Sequence, residues 1–311
     1  MSSTVTVGFD IGGTNMRAGV VTAEGEIIAS VSSPVPQTDA DLTNGIVSVV
    51  RDLSRDYPIG AVGLAVAGFL DPACEVVRFA PHLPWRDRAV RAELTQALGL
   101  PVRLEHDANS AAWGEYRFGA AQGSDNWVLF AIGTGIGATL MPNGEIYRGA
   151  FGTAPEFGHL QVVPQGRACP CGKRGCLERY CSGTALAETA REILEQEPHL
   201  ESSLRSQASI SGKLVMENAR RGDPVALRAV ADFSYWLGLG LSIVADVLDP
   251  SLIVIGGGVS QDHELYLDAA VSEMSRNIVG AGFRPLPHVT CAQLGGDAGM
   301  IGVADLARKL L

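Results

Sequence analysis

The chain has 311 residues, 46% of them hydrophobic and 19% charged, with a formal net charge of −10. That length holds one large core or two ordinary ones, since domains commonly run to roughly 100–200 residues, and two domains is the expectation. The acidic balance argues against a nucleic-acid surface, which normally needs a basic patch, and the apolar runs "WLGLGLSIVADVL" and "SLIVIGGGV" fall short of the ~20 residues of a spanning helix. With no basic and then apolar leader in "MSSTVTVGFD", the chain reads as a cytoplasmic protein without membrane contact.

In chain order, "TVTVGF" alternates like a strand, "DIGGTN" breaks it with a glycine turn, "MRAGVV" resumes a strand, and "IIASV" is a third. "AVGLAVAG" reads as a buried strand, "RDRAVRAELTQALGL" as an amphipathic helix, "PVRLEHD" as a strand ending in an acid, and "ANSAAWGEYRFGA" as a helix. Residues 127–147, "WVLFAIGTGIGATLMPNGEIY", then repeat the opening plan of strand, glycine turn and strand. Phe9-x-Ile11-Gly12 matches Phe130-x-Ile132-Gly133, and Gly25-Glu26-Ile27 matches Gly144-Glu145-Ile146; a duplicated domain core explains this most simply. Helices follow at about 183–197, 210–221 and 223–248, then the strand "SLIVIGGGV", a helix, the strand "HVTCAQL" and the final helix "AGMIGVADLARKLL". The expected domains are 1–118, completed by a helix at about 298–311, and 119–297, with a hinge near Gly119 to Gly123.

Glycine turns at strand ends expose backbone N–H groups that bind phosphate without a cationic side chain. Gly12, Gly13 and Thr14 form one such turn, Gly133, Thr134 and Gly135 another, and Gly256, Gly257 and Gly258 follow a third strand. No Walker-type G-x-x-x-x-G-K-[ST] occurs, and no helix follows the first turn as a dinucleotide fold requires. Asp10 can hold Mg²⁺ through water and so neutralise a nucleotide's charge. Taken singly, each turn is equally a plain hairpin; the repetition favours a nucleotide.

Four of the six cysteines lie in "HLQVVPQGRACPCGKRGCLERYC", residues 159–181. In a reducing compartment such a cluster points to metal rather than to disulfides. Cys169, Cys171 and Cys176 surround a turn in which Gly172 and Gly175 can take positive φ, and His159 lies ten residues upstream of Cys169. Three thiolates and an imidazole suit a closed tetrahedral structural zinc site. The competing reading is packed thiols, with Cys181 on a helix beginning near Leu177.

The segments "FDIGGTNMRAG", "EHDANSAAWGE", "GTGIGA", "PEFGH", "CPCGKRGCLE" and "VIGGGV" occur in an order that resembles the sugar kinases of the ROK family, over nearly the whole chain. "FAPHLPWRD" and "HDANSAAWGEYRFG" look most similar to ATP-dependent glucokinases of actinobacterial type. The resemblance implies an α/β fold of the actin-like ATPase (ribonuclease H-like) class, with two α/β domains flanking a cleft. It further implies transfer of the γ-phosphoryl group of ATP to the 6-hydroxyl of glucose, Mg²⁺ as cofactor, a structural zinc that orders the sugar loop, and a homodimer or dimer of dimers.

By the same resemblance Asp107 is the general base that accepts the sugar hydroxyl proton; the competing role is a helix N-cap. Glu156, His159 and Glu178 are implied sugar contacts, with Asn109 a further candidate, while the bland alternatives make Glu156 a loop charge and Glu178 a solvated helix residue. The glycine turns with Asp10 take the nucleotide and its Mg²⁺. His82 and His106 depart from the asparagines common at these places in the family, which leaves the sugar open to fructose, mannose or an N-acetylhexosamine. A sugar-binding regulator without catalysis is the other-class alternative; a DNA-binding repressor is disfavoured because nine residues precede Asp10.

Overall fold

In the computed structural model residues 4–311 are described; residues 1–3 of the expected first domain lie outside the described residues. Strand β1 (Val5–Ile11) and strand β2 (Asn15–Val21) form an antiparallel hairpin around the first glycine turn, and β3 (Ile27–Pro34) continues it. Helix α1 (Asp39–Leu53) starts where the Thr38 hydroxyl accepts the Asp41 N–H at 3.2 Å, and its Leu42, Ile46 and Val50 recur at the helical spacing that buries one face. Strand β4 (Ile59–Val66) pairs parallel with β1.

Three short strands follow, β5 (Phe69–Leu70), β6 (Val77–Phe79) and β7 (Arg86–Arg88), and they pair into a small antiparallel sheet. The amphipathic helix expected from residue 86 therefore begins later, as α2 (Val90–Leu98). The reason lies in Arg86, whose guanidinium donates to the carbonyls of Ala80, Leu83 and Trp85 at 2.6–2.7 Å and holds its own segment extended beside the buried Trp85. Strand β8 (Val102–His106) then joins β4 in parallel, and α3 (Asp107–Phe118) follows without a loop. The main sheet has the order β3-β2-β1-β4-β8.

The second sheet has the order β10-β9-β11-β12, from β9 (Trp127–Ile132) and β10 (Ile136–Met141) with two strands that come later in the chain. Its opening repeats the first turn, with the Gly133 N–H bonded to the Gly135 carbonyl at 2.9 Å where Gly12 bonds Asn15 at 3.1 Å. The likeness stops there. After Met141 the chain makes a 3-10 turn, Pro142–Gly144, and a single bridge from Leu140 to Tyr147 instead of a third strand.

Helices α4 (Gly183–Gln196), α5 (Gly212–Arg220) and α6 (Pro224–Leu248) start at Ser182, Ser211 and Asp223, each accepting a first-turn N–H. Helix α6 corrects the expectation about apolar runs: at 25 residues and a mean hydropathy of 1.3 it is long and apolar enough, by length and composition, to cross a membrane. It packs against α4, α5 and α7 (Leu267–Asn277), with Phe233, Leu237, Leu241 and Val244 buried, so it is a core helix of this unit. Strand β11 (Leu252–Gly256) pairs parallel with both β9 and β12 (His288–Cys291).

The last helix, α8 (Ala298–Arg308), packs on α3, β1 and β4. Only glycine permits this. A Cβ at Gly8 of β1 would lie 2.0 Å from the Met300 carbonyl oxygen, and one at Gly302 of α8 would lie 1.8 Å from the Ser110 carbonyl oxygen, so helix and sheet meet backbone to backbone.

The chain falls into two compact units, 1–125 with 139–155 and 293–311, and 126–138 with 156–292. The segment 139–155, expected with the second domain, thus belongs with the first unit. Thr139 bonds Asn109 at 3.0 Å, the Gly144 N–H bonds the Asp125 carbonyl at 2.7 Å, and Arg148 pairs with Glu105. The expected hinge also lies inside the first unit. There the buried carboxylate of Glu115 accepts N–H bonds from Ala120, Gln293 and Leu294 at 2.7–3.0 Å.

Candidate active site

In the first unit the register sets Ile11 beside Val66 and Val66 beside His106, so β1, β4 and β8 end at one edge of the sheet. Open α/β sheets bind ligands outside these carboxyl ends. Asp10 lies at that edge, and Asp107 is the first residue of α3. The cap position is His106, whose side chain makes no cap bond; Asp107 instead accepts the Ala108 N–H on Oδ1 at 2.7 Å. The His106 Nδ1 stands 3.2 Å from the same oxygen.

Burial, and after it the nearby Asp107, push the Asp10 carboxyl up to about 6, with Asp297 adding to the rise and Arg17 opposing it. Arg17 is itself engaged by Asp297 and by the Gly296 carbonyl at 3.0 Å. An excess of negative charge at a sheet edge is what a divalent cation relieves, so these residues fit Mg²⁺. His82 packs against the turn at Gly13, where a Cβ would stand 2.8 Å from the His82 Cβ. Thr14 accepts the Val35 N–H at 2.9 Å through its carbonyl.

Asn109 is buried and committed at both ends of its amide, donating to Glu105 at 3.0 Å and accepting from the Thr139 hydroxyl at 3.0 Å. Two protons and two lone pairs per amide leave it one N–H and one lone pair to spare.

In the second unit a cavity of about 830 Å³ opens beside the second turn. Gly133, Thr134, Gly183, Thr184, Lys213 and Gly258 are among its lining residues. Of the third glycine run only Gly258 reaches it; Gly256 closes β11 and Gly257 turns the chain at φ 79°. The Gly183 N–H bonds the Gly133 carbonyl and the Thr184 hydroxyl bonds the Thr134 carbonyl, both at 2.8 Å. The start of α4 therefore meets the turn, the start of α5 lines the same cavity, and helix N-termini favour anions. Gly135 faces Glu178 rather than the cavity, its Cβ position lying 2.7 Å from the Glu178 Oε2.

Sequence reasoning misses Lys213, Arg191 and Arg220 in this cavity. The signal was present: "SGTALAE" and "SGKLVME" repeat a Ser-Gly start, and both serines cap helices that open on the same space.

The cysteine loop assembles as the spacing implies. One donor atom each from His159, Cys169, Cys171 and Cys176 lies within 4.8 Å of the others. The Cys171 and Cys176 sulfurs are 3.6 Å apart, and the Cys169 sulfur is 3.7 Å from the His159 Nδ1. A Zn–S length of about 2.3 Å in a tetrahedron sets sulfurs about 3.8 Å apart, close to the spacing seen, so the set fits zinc. The other imidazole nitrogen, Nε2, is 3.9 Å from Glu156, and Glu178 is 3.2 Å from the Cys169 sulfur and 3.6 Å from the His159 Nδ1. Glu178 thus lies in a 3-10 turn, Leu177–Arg179, with 17% of its side chain exposed, not on a solvated helix face; Glu156 is 44% exposed. The backbone of the loop is fastened by Arg167, which bonds the Arg179 carbonyl at 2.7 Å, the Thr189 hydroxyl and Glu192. Cys181 is buried against the Leu177 carbonyl, Cys74 lies beside Glu105, and Cys291 is in β12.

Known proteins share the sequence and fold of this chain along nearly its whole length. A glucokinase of Streptomyces coelicolor is 39% identical over 310 residues, with 98% of each chain covered. The crystal structure of a ROK family glucokinase from Streptomyces griseus, in complex with glucose and AMPPNP, is 42% identical at a TM-score of 0.86, covering 98% of this chain and 99% of its own. A ROK hexokinase from Thermus thermophilus is 32% identical at a TM-score of 0.83, with 98% of each chain covered. These neighbours identify the α/β architecture as the two-domain actin-like ATPase fold. The family's sequence model matches residues 6–310, nearly the whole chain, and this chain therefore belongs to the ROK family.

Proposed function

We propose that this protein is an ATP-dependent glucokinase, transferring the γ-phosphoryl group of ATP to the 6-hydroxyl of glucose. The observation that carries this reading is the 42% identity, along 98% of the chain, to a ROK glucokinase crystallised with glucose and AMPPNP. Asp107 is the general base. Its Oδ1 is held by the Ala108 N–H, which leaves Oδ2 to take the hydroxyl proton as the sugar oxygen attacks phosphorus. Asn109, Glu156, His159 and Glu178 pair with sugar hydroxyls, so that a sugar lacking a partner leaves a polar group unpaired.

The nucleotide lies along Gly133, Thr134 and Gly258 of the cavity, with Lys213 adding charge that the backbone turns lack, while Gly135, Gly256 and Gly257 shape the turns behind them. Gly12, Gly13 and Thr14 face the transferred phosphoryl group, and Asp10 holds Mg²⁺ through water; when bound, that ion neutralises charge on the phosphate oxygens. Zinc on His159, Cys169, Cys171 and Cys176 plays no part in the chemistry and keeps the loop that carries Glu156 and Glu178 in shape. The active species is a homodimer or a dimer of dimers.

A wider hexose range is the second reading, favoured by the 32% identity to a Thermus hexokinase. ADP release measured over glucose, fructose, mannose and N-acetylhexosamines, with and without Mg²⁺, tests both. Glucose-dependent turnover that needs Mg²⁺ is expected. Turnover of none of these sugars defeats the proposal, and an equal rate on several favours the wider reading.

A further inference from the structure

Glu105 has no exposed surface, yet it is charged and sits two residues before Asp107. A buried carboxylate persists only when its lone pairs are filled. Here they are. Arg148 embraces it with two N–H groups, Nη2 on Oε2 and Nε on Oε1 at 3.3 Å. Arg103 donates to Oε2 at 3.0 Å, and the Asn109 amide and His106 backbone N–H donate to Oε1 at 3.0 and 3.1 Å. The Cys74 thiol approaches Oε1 at 3.7 Å. Burial works to raise the Glu105 pKa, but the Arg148 bonds and charge outweigh it and hold the group ionised.

This carboxylate therefore ties the two sides of the β8–α3 junction to a stretch 43 residues farther along the chain. One side is the end of β8, which presents Asp107. The other is the first turn of α3, where Asn109 is fixed with its amide nitrogen on Glu105 and its oxygen on Thr139. The distant stretch is 148–155, which leads covalently into Glu156. Arg148 closes that stretch on itself, since its carbonyl accepts the Ala154 N–H at 3.2 Å. Farther along it, a Cβ at Gly152 would lie 2.7 Å from the Leu70 carbonyl oxygen, so the loop lies flat on the chain leading to Cys74.

We propose that Glu105 and Arg148 form a positioning pair for the acceptor sugar, setting the Asn109 amide and the root of the 148–155 segment in register with Asp107. The inference rests on the glucokinase reading above. Neither residue touches the reacting atoms. Their effect is on where the sugar-pairing groups stand, and a displacement of about 1 Å can cost roughly a hundredfold in rate. The pair needs a planar fork on a carboxylate, so lysine replaces arginine only in part.

The test compares wild type with Arg148→Met, Arg148→Lys and Glu105→Gln, measuring KM for glucose, KM for ATP, glucose affinity by calorimetry and the melting temperature. Arg148→Met is expected to raise KM and Kd for glucose about tenfold or more with KM for ATP within about twofold, and Arg148→Lys to fall between it and wild type. A purely structural pair would instead lower the melting temperature and the active fraction with KM for glucose unchanged, and that result overturns the proposal. So does a parallel rise in both KM values. Should Arg148→Met fail to fold, Arg148→Lys and Glu105→Gln, which keep polar partners in place, carry the same comparison. A wild type that binds glucose without turning it over defeats the kinase reading, while the variants' glucose affinities still decide the pair.

Discussion

Replacing Asp10 by asparagine should stabilise the ligand-free protein while destroying its activity. Burial and the neighbouring Asp107 raise the Asp10 pKa from the usual 3.8 to about 6, so the folded protein binds this proton more tightly than the unfolded chain does. Between about pH 4 and pH 6 the folded state therefore holds more protons, and stability falls as pH rises through that window. At ~1.4 kcal/mol per pH unit the rise corresponds to about 3 kcal/mol lost at neutral pH. Asparagine keeps the shape and removes the charge. Recovering about 1–3 kcal/mol should raise the melting temperature by roughly 2–12 °C at pH 7.5, since a folding unit of this size gains about 2–4 °C per kcal/mol. The gap should shrink to roughly a third near pH 4.5, where folded wild-type Asp10 is protonated but the unfolded chain is still mostly ionised. Thermal melts of both proteins at the two pH values, without nucleotide or Mg²⁺, measure this. A variant that melts at or below wild type at pH 7.5, or a gap that does not change with pH, refutes the reasoning. Charge held against stability at a functional position is a recurring trade.

Metal analysis should find about one zinc per chain, lost in Cys171→Ser but retained in Cys74→Ser, Cys181→Ser and Cys291→Ser. The Cys171→Ser protein should also bind glucose more weakly while still binding ATP, because the ion acts through the shape of the loop; equal glucose affinity in a zinc-free variant would contradict this. Lys213→Met should raise KM for ATP about tenfold, the scale of one lost charge-assisted contact, with KM for glucose unchanged. An unaltered KM for ATP would remove Lys213 from the nucleotide site.

The glycine turns and the cysteine loop were legible in the sequence because both are local. A strand, a turn and a strand within 20 residues leave a period-two signal on either side of the glycines, and three cysteines within eight residues can meet only around a turn. The Glu105 network had no such signal. Nothing local marks Glu105, Arg103 and Arg148 until β8 and the 148–155 segment are brought together, since periodicity says nothing about which charges are buried in pairs. Lys213 has only the repeated Ser-Gly helix start to mark it, because its cavity is built from turns and helix starts spread between Gly133 and Asp262. The strand at Arg86–Arg88 was misread as helix because three carbonyl bonds to one guanidinium, not local propensity, fix it. Helix α6 outran its apolar run because its first nine residues mix Arg228 and Asp232 with buried Val225, Ala229 and Val230.

The central claim is that Asp107 takes a proton from glucose as phosphoryl transfer occurs, and the direct measurement is formation of glucose 6-phosphate from glucose, ATP and Mg²⁺ by wild type and Asp107→Asn, followed by phosphorus NMR, with glucose binding measured on the same samples. The account predicts glucose 6-phosphate from wild type, and from Asp107→Asn a rate lower by about a hundredfold or more with glucose affinity nearly unchanged. A near-normal rate in Asp107→Asn, or phosphate released from ATP with no sugar phosphate formed by wild type, would contradict it.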